Sequence, residues 1–321
     1  MAMMNAAVVT SFDEPPHYQP FPVPAPDAGE VLADVLAVGL HPRVRSGAAG
    51  RHYTSSGTLP MIPGVDGVGR LPDGRVVYFA AGDDVLGTMS DKALVDLERA
   101  VELPAGVDVA AVAAAMNPAM SSWVALRRRV PLEPGQGVLV LGATGNAGAM
   151  AVRVARRLGA GRVVGAGRDA GRLRALVQAG ADDVVRLTAD AEETAKALAD
   201  AAAETDIVLD YLWGAPAQLA ITALLTARSD RSRALDWIAI GSVAGPTIEL
   251  PSAALRSANF RLQGSGQGSV SPRGYLSELP SLVAEISAGT FEVRPRPVPL
   301  ADVERAWATH ETPGERTVLV P

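Results

Sequence analysis

Along the first part of the chain, hydrophobic positions come in short alternating runs, Ala6 to Thr10, Glu30 to Gly39, Arg75 to Phe79 and Ala93 to Asp96, separated by Gly and Pro. Alternation with period two between turn residues predicts short half-buried strands, and the first 122 residues read as a small irregular barrel. The proline-rich stretch Pro15 to Pro26 lies between the first two runs. It reads as an extended connector, because proline fixes φ and has no N–H to give a ladder.

From Leu132 the pattern changes to apolar runs of strand length alternating with segments whose apolar residues recur at helical spacing. Strands are expected at Val138 to Leu141, Arg162 to Ala166, Asp183 to Arg186, Asp206 to Asp210 and Leu235 to Gly241. Helices are expected at Ala147 to Leu158, Arg172 to Ala179, Glu192 to Ala203 and Ala215 to Thr226. Such alternation predicts an α/β domain with a parallel sheet covered on both faces, built of two mononucleotide-binding halves. After Gly264 come a Ser/Gly-rich segment, a helix near Leu276 to Ala288, PRPVPL, a short helix Ala301 to Thr309 and a last strand Thr317 to Val320. A terminal strand without a partner unit of its own belongs back in the first domain. Residues 1–122 and 265–321 are therefore expected to form a discontinuous barrel domain, with 123–264 inserted as a nucleotide-binding domain.

The chemistry begins at VLVLGATGNAG, residues 138–148, where Gly142, Gly145 and Gly148 follow a strand and open a helix, with Thr144, Asn146 and Ala147 between them. The first glycine permits the tight turn, the second lets backbone N–H groups approach a pyrophosphate, and the third lets helix and strand pack closely. This is a dinucleotide signature. NAD sites place an acid at the tip of the next strand. Here that tip is Gly167, followed by Arg168 and, one turn on, Arg172. Guanidinium groups without a carboxylate suit a 2′-phosphate, so NADPH is expected. Asp169 reads either as the acid one residue late or as a helix N-cap.

Composition narrows the reaction. The chain has no cysteine, so thiolate zinc sites, thiol nucleophiles and disulfides are out, and its four histidines, His17, His41, His52 and His310, form no metal-binding spacing. No metal is expected. A net charge of −6 argues against nucleic acid as a partner. The longest apolar stretch, Val107 to Met116, is mostly alanine and about half of the ~20 residues a membrane span requires. The N-terminus shows no basic segment followed by an apolar one, so the expected location is the cytoplasm. Arg127-Arg128-Arg129 reads as a cation cluster complementing a helix C-terminus. The four tryptophans read as packing residues.

The stretches EVLADVLAVGLHP, MIPGVDGVGRL, VAAVAAAMNPAMSSWVALRRRVPLEPGQGVLVLGATGNAG, and IAIGSVAG followed by RLQGSG resemble the zinc-independent quinone oxidoreductase (zeta-crystallin-like) branch of the medium-chain dehydrogenase/reductase superfamily. The resemblance covers nearly the whole chain. It implies a Rossmann domain inserted in a GroES-like catalytic domain, a homodimer, and hydride transfer from NADPH to a quinone or α,β-unsaturated carbonyl. A crystallin-like or sensor protein that binds NADPH with little turnover is the alternative. Carried over by position, His41 stands where the family has Asn beside the nicotinamide. Ser121 matches a Thr/Ser near the nicotinamide and pyrophosphate, and Tyr211 a position on the adenine-to-ribose path. Gly241-Ser242 and Gly264-Ser265 match two loops at the carboxamide end. Tyr53 is the first candidate donor to a developing enolate oxygen, followed by His52 and His41.

Overall fold

The computed structural model describes residues 2–291, 293–310, 312 and 314–321. It divides into two compact units, 1–117 with 279–321, and 118–278. The second boundary thus falls beyond the expected 264/265 junction, because the segment after Gly264 stays bound to the nucleotide unit through contacts described below.

The first unit opens with β1 (Met3–Val8) and β2 (His17–Pro22), an antiparallel pair. The stretch expected as a connector is therefore a strand. Val23 N–H donates to Ala2, so the odd-numbered amides face β1, and Pro20 and Pro22 turn their missing donors to the free edge, where a strand tolerates them. There follow β3 (Glu30–Gly39), α1 (Pro42–Ala48), β4 (Asp66–Arg70), β5 (Val76–Ala80), β6 (Lys92–Asp96) and β7 (Ala100–Glu102). The chain returns to this unit after residue 278. Val8, Leu40, Phe79, Met89 and Leu319 close its core.

α2 (Val109–Val124) continues through a wider π-turn, Ala125–Arg129. Together they make a 21-residue apolar helix, longer than the sequence pattern suggested and long enough to cross a membrane by length and composition alone. Its residues Val112 to Met116, Met120 and Trp123 to Leu126 are buried in the protein, which identifies it as a core helix. The division between the units falls at its internal Pro118, where the ladder lacks one N–H.

The second unit contains β8 (Gly137–Leu141), α3 (Asn146–Arg157), β9 (Arg162–Gly167), α4 (Ala170–Gln178), β10 (Asp183–Arg186), α5 (Ala191–Ala202), β11 (Ile207–Asp210), α6 (Gly214–Ala227), β12 (Leu235–Ala239), α7 (Ser252–Arg256), β13 (Phe260–Gly264) and α8 (Pro272–Leu276). All of its strand pairs are parallel, in the order β10-β9-β8-β11-β12-β13. This is the doubly wound order, with its switch point between β8 and β11. Buried Leu139, Leu141, Leu198, Leu224 and Trp237 pack the faces. β13 was not evident in the sequence, since RLQG carries polar residues at an edge where one side needs no burial.

The chain then re-enters the first unit with α9 (Leu279–Ser287), β14 (Arg294–Pro299), α10 (Val303–Ala308) and β15 (Glu315–Val320). The mixed sheet has the order β14-β15-β3-β4-β5-β7, with β6 on β3. β15 lies antiparallel to β3, as the return of the terminal strand required, yet it does have a parallel partner: β14, the PRPVP run. The prolines occupy alternate positions of an outermost strand, the same accommodation as in β2.

Candidate cofactor site

The carboxyl ends of the parallel strands carry the predicted residues of the second unit. Gly142 follows β8 with φ +86°, a conformation open to glycine. A Cβ on Gly148 would stand 2.2 Å from the Gly142 carbonyl oxygen, so the third glycine is required by the closeness of helix and turn. At Gly145 the nearest atom would be 3.4 Å away. Its absent side chain leaves space outside the turn.

α4 is capped by Asp169, whose carboxylate accepts from Arg172 N–H, and α5 by Asp190, which accepts from Glu192 and Glu193 N–H. α3 begins at Gly145 and has no side-chain cap. A helix N-terminus without a built-in acceptor, behind a tight glycine turn, suits an anionic group. The residues present therefore fit a pyrophosphate.

At the tip of β9, a Cβ on Gly167 would come within 2.5 Å of Thr144 Cγ2 and 2.6 Å of its Oγ1. Thr144 in the glycine turn thus packs where an NAD site carries its acid, and a side chain at 167 would require Thr144 to shift. Asp169 is the cap and not a displaced acid; the Arg172 amide that it accepts from holds its carboxyl below the usual range. The two arginines part company. Arg168 is exposed beside the strand tip, whereas Arg172 turns inward and donates to the Thr144 carbonyl at 2.5 Å. Arg172 thus braces the turn, and Arg168 is the cation left facing solvent there.

Across the switch point, Tyr211 follows β11. Ser121 and Tyr211, 90 positions apart, meet with their hydroxyls 2.9 Å apart. Burial pushes the Tyr211 phenol up to about 12, so it keeps its proton. The turn bearing Tyr211 is built by Asp210, fully buried, which accepts from the Leu212 and Trp213 amides and from Trp237 Nε1. Burial raises Asp210, the largest effect, against those three donors. Asp210 was not singled out in the sequence; an acid ending an otherwise apolar strand was the available signal. A Cβ on Gly241 would lie 2.8 Å from Tyr211 O, so the loop after β12 presses on this turn. Ser242 continues that loop, and Ser265 N–H, just after Gly264, donates to Ala239.

The first unit holds His41, Tyr53 and a pocket. His41 is the N-cap residue of α1 and is 1 % exposed. Its Nε2 lies 3.4 Å from Asp66 Oδ1, and Asp66 Oδ2 accepts from Tyr78 O–H at 2.8 Å. Burial, outweighing Asp66, lowers the His41 pKa. That lowering favours the neutral ring, whose Nε2 is on the carboxylate side and whose second nitrogen is Nδ1. That Nδ1 is buried without a hydrogen-bond partner among the described residues. Tyr53 is 71 % exposed and rests against His52, with ring centroids 4.3 Å apart. It is not the half-buried phenol that an oxyanion donor in a closed site would be. Val44, Ala48, Met61, Pro63 and Val65, with Arg43, Ser55 and Asp84, line a small, partly open pocket in the same unit. Among the described residues no three His, Asp or Glu side chains cluster as metal ligands.

The arginine run proves to be more than a helix-end charge: Arg127 and Arg128 pair with Glu278, which is 2 % exposed, and Arg129 bonds the loop after β13. Trp123 and Trp237 are buried packing residues, each donating to a buried carboxylate.

No family model matches the chain. It is 32 % identical to the "Probable NADPH-dependent quinone reductase tdiC" of Emericella nidulans, over 99 % of this chain and 100 % of that protein. It is 33 % identical to a quinone oxidoreductase of Lama guanicoe over half of each. The quinone oxidoreductase of Thermus thermophilus, solved alone and with NADPH, superposes with a TM-score of 0.80 at 25 % identity, over 99 % of this chain and 100 % of that one. With a glycine turn on a doubly wound sheet and full-length relatives of this kind, the chain belongs to the quinone oxidoreductase branch of the medium-chain dehydrogenase/reductase superfamily.

Proposed function

We propose that this chain is an NADPH-dependent quinone reductase that works without zinc, as a homodimer in the cytoplasm. The observation that carries this reading is the uncapped N-terminus of α3 behind the glycine turn, with Arg168 exposed at the neighbouring strand tip, where Gly167 replaces the acid of an NAD site. The pyrophosphate would lie on Gly142 to Gly148, the 2′-phosphate against Arg168, Tyr211 on the adenine-to-ribose path, and the nicotinamide end along Ser121, Gly241-Ser242 and Gly264-Ser265. The full-length relative named as an NADPH-dependent quinone reductase supports the same cofactor and acceptor class.

Bound nicotinamide supplies the hydride. A quinone or an activated enone accepts it without Lewis-acid help, so the protein's work is to orient, to exclude water and to hydrogen-bond the forming oxyanion. The absence of cysteine leaves no thiolate for a catalytic zinc.

The test is NADPH consumption against a panel of quinones and α,β-unsaturated carbonyls, with NADH in parallel. Turnover of quinones with preference for NADPH is expected. Tight NADPH binding without turnover of any acceptor would return the chain to a binding role.

A further inference from the structure

The three consecutive arginines that end the helix of α2 secure both ends of one segment of the second unit. Arg127 Nε donates to Glu278 Oε2 at 2.5 Å, and Arg128 Nε donates to Glu278 Oε1. Arg128 Nη2 reaches Ser277 Oγ at 2.9 Å. Trp123 Nε1 donates to the same buried Glu278 at 3.1 Å, and the Arg127 guanidinium lies 5.0 Å from the Trp123 ring centroid. Burial pushes Glu278 up, but the two guanidinium groups outweigh it and hold the carboxyl below its ordinary range. That end of the segment is a buried, multiply bonded anchor. At the other end Arg129 Nε donates to Gly264 O at 2.8 Å and its Nη1 to Ser269 O at 2.9 Å.

Between those two carbonyls lies a turn with internal ties. Ser269 N–H donates to Gly266 O, Gly266 N–H donates to Ser269 Oγ, and Gly268 has φ +94°. β13 is the outermost strand, so this loop has a neighbouring strand on one side, where Ser265 N–H donates to Ala239 O at 2.9 Å. The planar fork of Arg129 spans the loop's two ends at once, which a lysine, with its point-like ammonium, does with less fixed geometry.

We propose that Arg129 is a positioning residue for hydride transfer. By holding the carbonyls of Gly264 and Ser269 it sets the loop whose Gly264-Ser265 receives the carboxamide end of the nicotinamide. This rests on the cofactor reading above. Arg129 acts through the loop and leaves the 2′-phosphate end untouched, so its loss affects NADPH and NADH alike. A small displacement of the ring lowers the rate of the chemical step as well as affinity.

The experiment compares wild type with Arg129→Met, Arg129→Lys and Arg261→Met. The last removes an ion pair with Asp236 on the neighbouring strand, away from the loop. Steady-state kinetics with NADPH and NADH, the deuterium isotope effect from NADPH labelled at nicotinamide C4, thermal unfolding, and fluorescence titration of NADPH are measured together. Arg129→Met is expected to raise KM for both cofactors and lower kcat, for a combined loss in kcat/KM of roughly ten- to a hundredfold, with a larger isotope effect. Arg129→Lys recovers part of the loss. Arg261→Met changes unfolding temperature without altering the isotope effect. Unchanged kinetics in Arg129→Met, or losses that Arg261→Met reproduces at equal unfolding temperature, overturn the proposal and leave the cofactor reading standing. Wild type that binds no NADPH overturns both.

Discussion

The two units make their chemistry in different ways. In the nucleotide unit the site is backbone: a glycine turn, an uncapped helix end, and strand tips whose glycines hold Thr144 and Tyr211 at contact distance. In the barrel unit it is side chain: His41, Asp66 and Tyr78 converge from the start of α1, β4 and β5 into a buried polar chain. A backbone site depends on residues adjacent in sequence and tolerates no Cβ. The side-chain site depends on distant residues and on each buried polar group keeping its partner.

The contrast can be broken first at its strongest point. Gly148→Val puts Cβ and both methyls against the Gly142 carbonyl, 2.2 Å from the first added carbon. It should abolish measurable NADPH binding, at least a ~100-fold loss, and lower the unfolding temperature, as fluorescence titration and thermal unfolding would show. Retained binding would mean that the turn can relax and that its geometry is not the site.

In the barrel, Asp66→Ala leaves the Tyr78 hydroxyl and His41 Nε2 buried without their acceptor, at a cost of roughly 2–4 kcal/mol read by denaturant unfolding. A loss below ~1 kcal/mol would show that water replaces the carboxylate. At the 2′-phosphate end, Arg168→Ala removes a charge-assisted contact and should weaken NADPH roughly tenfold while changing NADH little. Equal losses for both would remove that assignment.

A pH series sharpens the barrel side further. His41 and His52 both have folded pKa values below the ordinary histidine value, His52 at about 4, with burial the largest cause in each. Between those values and the unfolded pKa near 6.5 the unfolded chain binds more protons, so stability is full above about pH 6.5 and falls as the pH drops toward 4. His41→Asn should flatten that slope; an unchanged slope would assign it elsewhere. The smallest effect is expected at Tyr53, where an exposed phenol contributes only with substrate in place. Tyr53→Phe should lower kcat by up to ~10-fold if it donates to the acceptor, and unchanged kcat would dismiss that role.

The elements legible in the sequence were those with local signals. The strand Glu30–Gly39 and the strand-turn-helix at 137–157 follow from periodicity and glycine spacing, because their backbone conformation is set by near neighbours. The stretch holding β2 reads as an extended connector and PRPVPL carries no element in the sequence, since whether a missing N–H matters depends on which edge of the sheet faces outward. Arg127 to Arg129 read as helix-end charges because Glu278, about 150 positions on, supplies no local hint.

For this protein the sequence by itself determined the doubly wound nucleotide unit, the glycine turn and the missing acid, all of which rest on residues within a few positions of one another. Tertiary structure alone decided that Thr144 packs against the position of that acid, and that Arg168 and Arg172 have different surroundings. It also decided that Ser121 meets Tyr211, and that the last arginine of the run after α2 holds the loop after β13. Each of those is a contact between segments far apart in the chain, where packing chooses among partners that composition and spacing leave equal.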